Sequence, residues 1–285
     1  MKAGTRLANK NMVACITGSI LLSACGGMDP FDGWPDAIAE GVTCGLTNCT
    51  ESSVLSPGEI ATNFIITQNN SGIRIDAGLG KSLNLITVVR LSDSDKLTAT
   101  VNGQTVPLSD SSNGERVRYS GTVSNISAQP VVSVSLQRGP DSYPASVTLP
   151  AGFDIIAPAG TVNLGRSAGK LRVQFSRSMS GSFYVSMVAN CQRSDGTGFT
   201  DNTDINPKQD PDAYRIDTAD LDAILNERSK ARNNNNPNTA LVTRCGIDLI
   251  WTNSVKGNVS SKLNKYSEIR GLRTVSQRIE YDARG

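Results

Sequence analysis

The feature that most constrains this chain is a hairpin signal, KLTATVNGQTVPL, at residues 96–108. Asn102-Gly103 supplies the positive φ angles that a two-residue type I′ turn requires. The turn predicts that Val101 faces Gln104, which places most apolar side chains of both strands on one face. Threonines occupy the other face, so the hairpin buries one side and exposes the other to water. Pro107 cannot donate a ladder hydrogen bond, which predicts an edge strand or a bulge there.

Short apolar runs with alternating polarity continue along the chain, and glycine, asparagine and proline recur between them. This pattern is typical of β-rich extracytoplasmic modules. The stretch LPAGFDIIAPAG at 149–160 reads as a linker because two prolines flank a short apolar run. We therefore predict a mainly β fold of two tandem immunoglobulin-like β-sandwich domains, at 42–150 and 151–285. A strand at 274–282 is expected to close the second sheet.

A polar segment followed by a helical pattern interrupts the predicted second domain. Residues 192–217 are polar and acidic, which indicates a surface loop. The following run, TADLDAILNERSKAR, places Leu221, Ile224 and Leu225 on one face of a helix, and an asparagine tract with Pro237 ends it. The sequence predicts a helical insertion at about 217–232.

The N-terminus has the pattern of a secretory signal. Lys2, Arg6 and Lys10 precede an apolar segment at 12–22, with no acidic residue among the first eleven. That segment is about half the length of roughly 20 residues needed to cross a bilayer, so we expect a signal peptide at 1–24 instead of a permanent transmembrane helix.

The end of that signal, Leu22-Ser23-Ala24-Cys25, resembles the lipobox of bacterial lipoproteins. The resemblance implies that Cys25 is lipidated, that the mature chain begins there, and that the membrane is a partner through the lipid. Several acyl chains on one residue make a stable anchor. Gly26 follows where aspartate often signals inner-membrane retention, so the resemblance favours the outer membrane. Residues 25–41 then read as a lipidated tether.

A second resemblance concerns the β-rich region. The run from LTATVNGQTVPL through VSLQR to SVTLPAGFDIIAP is similar to passages of proteobacterial outer-membrane lipoproteins. It covers about a third of the mature chain and implies no activity.

The cysteines of the mature chain agree with an oxidising compartment. After Cys25 is assigned to the lipid, four remain, which allow three disulfide connectivities. The simplest pairing joins Cys44 to Cys49 and Cys191 to Cys245. The last two fall on the apolar parity of their strands, which independently supports their bond. A metal site is the competing interpretation of the four sulfurs.

Composition excludes several chemistries. The chain has no histidine, which removes triads that need histidine, histidine-ligated zinc and histidine acid–base catalysis. Once the signal is removed, 25 of the 28 basic residues remain together with all 26 acidic ones. This nearly neutral balance does not indicate a nucleic-acid-binding surface. No catalytic residue is predicted, and the protein is expected not to be an enzyme.

Calcium is the one cofactor that the sequence suggests. The stretch DGTGFTDNTDINPKQDPD supplies oxygen ligands of the kind that calcium prefers, with candidates at Asp201, Asp204, Asp210 and Asp212. The EF-hand spacing is not met, and a solvated loop with no cofactor is the alternative. The resulting function hypothesis is a lipid-anchored envelope protein that binds another protein or a cell-wall glycan. The alternative is a calcium- or carbohydrate-binding surface module.

Overall fold

A computed structural model describes residues 48–69, 72–81, 84–124, 127–179 and 181–285. The predicted signal peptide and most of the tether region, including Cys25 and Cys44, lie outside these ranges. The Cys44–Cys49 bond and the lipid site therefore remain predictions.

The described chain is built almost entirely of β-strands, with one α-helix among its described residues, α1 at Thr218–Ala231. Short 3₁₀ turns occur at Ser52–Val54, Pro57–Glu59 and Arg166–Ala168. In chain order the strands are β1 Cys49–Glu51, β2 Ile60–Asn69, β3 Gly72–Lys81, β4 Asn84–Arg90, β5 Asp95–Val101, β6 Gln104–Pro107, β7 Ser109–Asp110, β8 Arg118–Val123, β9 Val131–Arg138, β10 Asp141–Thr148, β11 Ile155–Ala157, β12 Val162–Gly165, β13 Lys170–Phe175, β14 Ser182–Arg193, β15 Gly198–Ile205, β16 Lys208–Asp210, β17 Ala213–Asp217, β18 Val242–Lys256, β19 Asn258–Val259 and β20 Glu268–Asp282.

These strands form three sheets. The largest has eleven described strands, and its main path runs β1-β4-β3-β2-β20-β18-β14-β15. A five-stranded sheet has the order β19-β10-β9-β5-β6, and a four-stranded sheet the order β11-β13-β17-β16. Each smaller sheet packs on one end of the large sheet, so the predicted mainly β sandwich fold with one helix is confirmed.

The first core lies between the large sheet and the five-stranded sheet. Ile60, Phe64 and Ile75 of the large sheet pack against Val134 and Leu136 of the smaller one. The buried residues alternate with more exposed ones along most of these strands, because successive side chains of a strand point to opposite faces.

The hairpin at the edge of the five-stranded sheet has the predicted register. Val101 pairs with Gln104, and both turn residues have positive φ, 47° at Asn102 and 83° at Gly103. Pro107 lies on the edge strand β6, where its missing N–H leaves no ladder bond unmade.

The second core is richer in aromatic side chains. Trp251, fully buried, lies 5.1 Å from Phe175 and 5.8 Å from Phe183, measured between ring centroids. Helix α1 adds Leu221 and Leu225 to this core. The predicted helix at 217–232 is thus confirmed, with its apolar face buried as its spacing indicates.

Two long strands run through both cores. β18 and β20 each have 15 residues, which corresponds to about 50 Å of strand. On β20, Ile269 belongs to the first core, and Ile279 and Tyr281 belong to the second. The sequence indicated only the last part of β20, and this strand lies inside the large sheet instead of closing it.

The expected acidic loop at 192–217 is wrong in part, because most of it forms β15, β16 and β17. Along β15, Asp201 and Ile205 are buried while Asn202 and Asp204 are exposed. That is the two-residue period of a strand, and it was concealed by an aspartate at a buried position. Across the described residues, none of the helices is long and apolar enough to span a bilayer.

Candidate functional site

A gap in strand pairing marks the most site-like feature of the described chain. β2 pairs with β20 in parallel from Glu268 to Arg273, and β12 pairs with the same edge, also in parallel, from Ile279 to Asp282. Between them, residues 274–278 of β20 have no partner strand on this edge in the described part of the chain. We call this gap, with the residues around it, the notch.

The ladder on the other edge of β20 fixes which main-chain groups point into the notch. Ala283 N–H donates to the Thr243 carbonyl, and Gly257 N–H donates to the Ile269 carbonyl. Odd-numbered residues of β20 therefore direct their N–H and C=O groups toward β18, since these groups alternate in direction along a strand. On the opposite edge, the last pair of the β2 ladder uses the Thr274 N–H and the first pair of the β12 ladder uses the Arg278 C=O. The Thr274 C=O, both main-chain groups of Ser276 and the Arg278 N–H therefore point toward the notch.

Ser276 lies at the centre of the gap and is exposed. Within the described chain, no main-chain hydrogen bond joins it to the loop at 158–161 that passes nearby. The loop is held instead by a side chain, because Gln277 Nε2 donates to the Pro158 carbonyl at 2.8 Å. A sheet edge of this kind is able to pair with another strand.

The notch encloses about 770 Å³, within the range of about 300–1,000 Å³ that ligand sites have. Its lining mixes apolar and polar side chains, and β18 and β20 each contribute both kinds. Beside Ser276 and Gln277, the lining includes Asn69, Asp154, Ile155, Pro158, Ala159, Asp248, Ile250, Thr274 and Arg278.

Charge is distributed unevenly around the notch. Arg278 donates to Asp248 at 3.0 Å and to Glu280 at 2.8 Å, so one guanidinium serves two carboxylates. These hydrogen bonds and charges raise the pKa of Arg278. The carboxylate of Asp154 makes no hydrogen bond or ion pair with any other described residue.

Behind the notch, on the inner face of the sheet, Arg273 lies opposite Asn253 in the β18–β20 ladder. Burial lowers the pKa of Arg273, and the nearby charge of Asp154 opposes this effect. Among the described residues, neither Arg273 Nη1 nor Asn253 Oδ1 has a hydrogen-bond partner. Gly152 makes room for the guanidinium, since a Cβ there would lie 2.8 Å from Arg273 Nη2.

A second depression adjoins the notch on the outer face of the large sheet. It encloses about 670 Å³ over Gly246, where a Cβ would clash with Arg278 Nη2. The glycine therefore lets Arg278 lie across the strand. Asn163, Asn190 and Gln192 line the depression, and their side-chain amides make no hydrogen bond with other described residues.

The four predicted calcium ligands do not come together. Asp201 faces helix α1, where its buried carboxylate accepts hydrogen bonds from Arg228 and from Arg232, the latter at 2.6 Å. Asp204 points to the opposite face of the same strand and accepts a hydrogen bond from Ser186 at 2.7 Å.

Asp210 ends β16 of the four-stranded sheet, and Asp212 lies in the turn between β16 and β17. Arg172 pairs with Asp212 at 2.6 Å and with Asp210 at 3.4 Å. Among the described residues no group of three or more metal-ligating side chains is gathered. Calcium binding remains a prediction, which a thermal-shift measurement with calcium against a chelator can check.

The predicted Cys191–Cys245 disulfide is confirmed. The two cysteines are directly opposite each other on β14 and β18, and both are buried in the second core. The bond encloses β15, β16, β17 and α1 in one covalent loop.

Sequence reasoning did not find the notch. Its residues come from the linker, from β18 and from β20, and no local pattern shows that β2 and β12 share one strand as their neighbour. The only local signal is the proline-flanked run at 149–160, which does end beside the gap.

Comparison with known proteins gives no family. No family model matches the chain, and no curated protein matches it. Solved structures with some likeness include titin domains Z1Z2 in complex with telethonin, at 11% identity and a TM-score of 0.20, covering 78% of this chain and 96% of that chain. Titin domains I67–I69 give 11% identity and a TM-score of 0.22, covering 80% of this chain and 65% of that chain. CBD12 from CALX1.2 gives 10% identity and a TM-score of 0.20, covering 78% and 99%. Scores this low carry no argument about function.

Proposed function

We propose that this β-sandwich protein is a non-enzymatic binding protein of the cell envelope, held at the outer membrane by lipid on Cys25, and that the notch binds an extended segment of a partner protein. The observation that carries the binding proposal is the unpartnered edge of β20 at 274–278. Strand addition to such an edge obtains affinity from main-chain hydrogen bonds and specificity from pockets for alternate side chains.

The lining of the notch supports a peptide better than a sugar. Main-chain groups of Thr274, Ser276 and Arg278 point into it, which is what a peptide strand needs. Its described lining contains no aromatic ring on which a sugar could stack.

Binding is tested by site-specific photo-crosslinking in intact cells. A photoreactive residue in place of Ser276 should capture a specific partner protein, and the same residue in place of Thr105 should not. Thr105 is a matched control because it is also exposed on an edge strand. Equal or absent capture at both positions would remove the notch as the binding site.

The anchor is tested separately. The full chain should incorporate labelled fatty acid and fractionate with the outer membrane, and the Cys25→Ser variant should do neither. Labelling that persists in this variant would contradict lipidation at Cys25.

A second candidate function is favoured by the depression over Gly246. Its three uncommitted amides, on Asn163, Asn190 and Gln192, offer donors and acceptors that suit the hydroxyl groups of a glycan. A thermal-shift measurement against a glycan panel should show a shift that Asn190→Ala abolishes. A flat response would leave the depression as ordinary polar surface.

A further inference from the structure

The notch has an apolar part that a bound segment would contact. Ile155 and Pro158 on the loop side and Ile250 on β18 line it, and Ile155 and Ile250 are only half-buried. Residues 274–278 correspond to about 17 Å of strand, so about five residues of an added segment would lie along the gap. Because side chains of a strand alternate between faces, one of them would lie against Ile250 on the outer face.

The notch also has an excess of negative charge. Its described lining contains two carboxylates, Asp154 and Asp248, and one guanidinium, Arg278. Arg278 already bonds Asp248, and it also bonds Glu280, which lies outside the notch. Arg273 is close enough to Asp154 to feel its charge but forms no ion pair with it within 4 Å. Asp154 is exposed, so its carboxylate is free to receive a cation from outside.

Resting on the proposed function, we propose that the segment bound in the notch carries an apolar side chain together with a lysine or arginine, and that Asp154 pairs with this cation. The apolar residue contacts Ile250, while the main chain pairs with the edge of β20 at Ser276. The partner is therefore a protein with an extended segment of mixed apolar and basic character.

The test uses synthetic heptapeptides and the purified full chain in detergent. The parent peptide is Thr-Val-Thr-Val-Lys-Val-Thr with a fluorescent label, and matched peptides carry Gln or Glu in place of Lys. A further version of the parent has N-methyl groups on alternate main-chain nitrogens, which removes donors without changing side chains. Binding is measured by fluorescence anisotropy at low and high salt.

We expect the Lys peptide to bind about two- to fivefold more tightly than the Gln peptide, as one exposed ion pair allows. The preference should shrink at high salt. It should disappear in Asp154→Asn and persist in Asp141→Asn, a control in which another exposed aspartate, at the start of β10, is neutralised. Asp154→Lys should reverse the preference and favour the Glu peptide.

The outcomes separate this inference from the proposed function. Equal binding of the Lys, Gln and Glu peptides, with N-methylation still abolishing it, would overturn the role of Asp154 and leave strand addition standing. A Lys preference that survives in Asp154→Asn would also overturn that role. Unchanged binding of the N-methylated peptide, or no binding of any peptide, would overturn both proposals.

Discussion

The two ends of the large sheet each pack against a smaller sheet, but the two cores formed there contain different kinds of residue. The first core is mainly aliphatic and closes with a short hairpin. The second contains an aromatic cluster around Trp251, a disulfide and a helix. Beside each core nevertheless lies an aspartate with a buried carboxylate, Asp95 at the first and Asp201 at the second. The difference shows that one continuous sheet can support two cores that depend on different kinds of interaction.

The largest expected effect is the loss of Trp251. Trp251→Ala should lower the free energy of unfolding by about 3–5 kcal/mol, because it leaves a cavity among Phe175, Phe183 and Tyr214. The measurement is urea denaturation followed by circular dichroism. Leu136→Ala is the counterpart in the first core and should cost about 2–5 kcal/mol. Because β18 and β20 belong to both cores, each variant should still unfold in a single transition, and two separated transitions would contradict this coupling.

The disulfide comes next. Cys191→Ser together with Cys245→Ser should cost about 4 kcal/mol, as the chain-entropy model gives for a closed loop of this length, since the two cysteines are 54 positions apart. The loss should be visible in denaturation under oxidising conditions. Reducing the parent protein should lower its stability at least as much, while reductant should affect the double variant only through the predicted Cys44–Cys49 bond. A double variant as stable as the parent would show that the sheet alone fixes β14 against β18.

The buried aspartates allow the sharpest comparison. Arg138, which is 23% exposed, pairs with Asp95 at 2.7 Å, and Ser52 donates to it at 2.6 Å. The partners of Asp201 are more exposed, at 36% for Arg228 and 52% for Arg232. We expect Asp95→Asn to cost about 2–3 kcal/mol and Asp201→Asn about 1–2 kcal/mol, because hydrogen bonds to charged groups are worth about 1.5–3 kcal/mol and exposure reduces this.

The same two residues predict a pH dependence. Burial alone would raise the pKa of Asp95 and of Asp201, but the arginine hydrogen bonds outweigh burial and hold each pKa below its ordinary value. A carboxyl with a lowered folded-state pKa stabilises the fold above its unfolded pKa of about 3.9, and this stability is lost as the pH falls further. The free energy of unfolding should therefore decline below about pH 4, and less steeply in either variant. Parallel acid curves for variants and parent would exclude this contribution.

The smallest expected effect is at the hairpin turn. Gly103→Ala should cost about 1–2 kcal/mol because alanine is strained at a φ of 83°. A Cβ at Gly103 would meet nothing within 4 Å, so no clash adds to the strain. Gly196→Ala is the matched variant in the second half of the chain, with a φ of 82° and the same open surroundings. Thermal unfolding of both variants should give equal losses, and a larger loss at Gly196 would point to a role for the β14–β15 turn beyond conformation.

Local patterns in the sequence predicted local structure well. Asn102-Gly103 predicted both the turn and the register of β5 and β6, because two-residue turns fix pairing geometrically. The spacing of Leu221 and Leu225 predicted the buried face of α1, and strand parity supported the Cys191–Cys245 bond.

Features that depend on distant parts of the chain were not predictable in this way. Asp201 interrupts an otherwise alternating strand because its neutralising arginines lie on a helix that begins 17 residues later. The notch exists because β2 and β12, almost a hundred residues apart, end and begin along one edge of β20. A single sequence contains no record of such pairings, since they depend on which strands become neighbours.

The path of β20 limits how this chain can be divided. A fragment ending at residue 150 would keep β2 and β3 but lose β20, the other neighbour of β2 in the large sheet. It would also lose Leu263 and Ile269 from the first core. The bare edge of β2 would then be a template for pairing with other chains. We therefore expect that neither sandwich folds when it is transferred alone to another protein. An insertion or deletion in this chain is expected to be tolerated only where it leaves β20 in place at both ends of the large sheet.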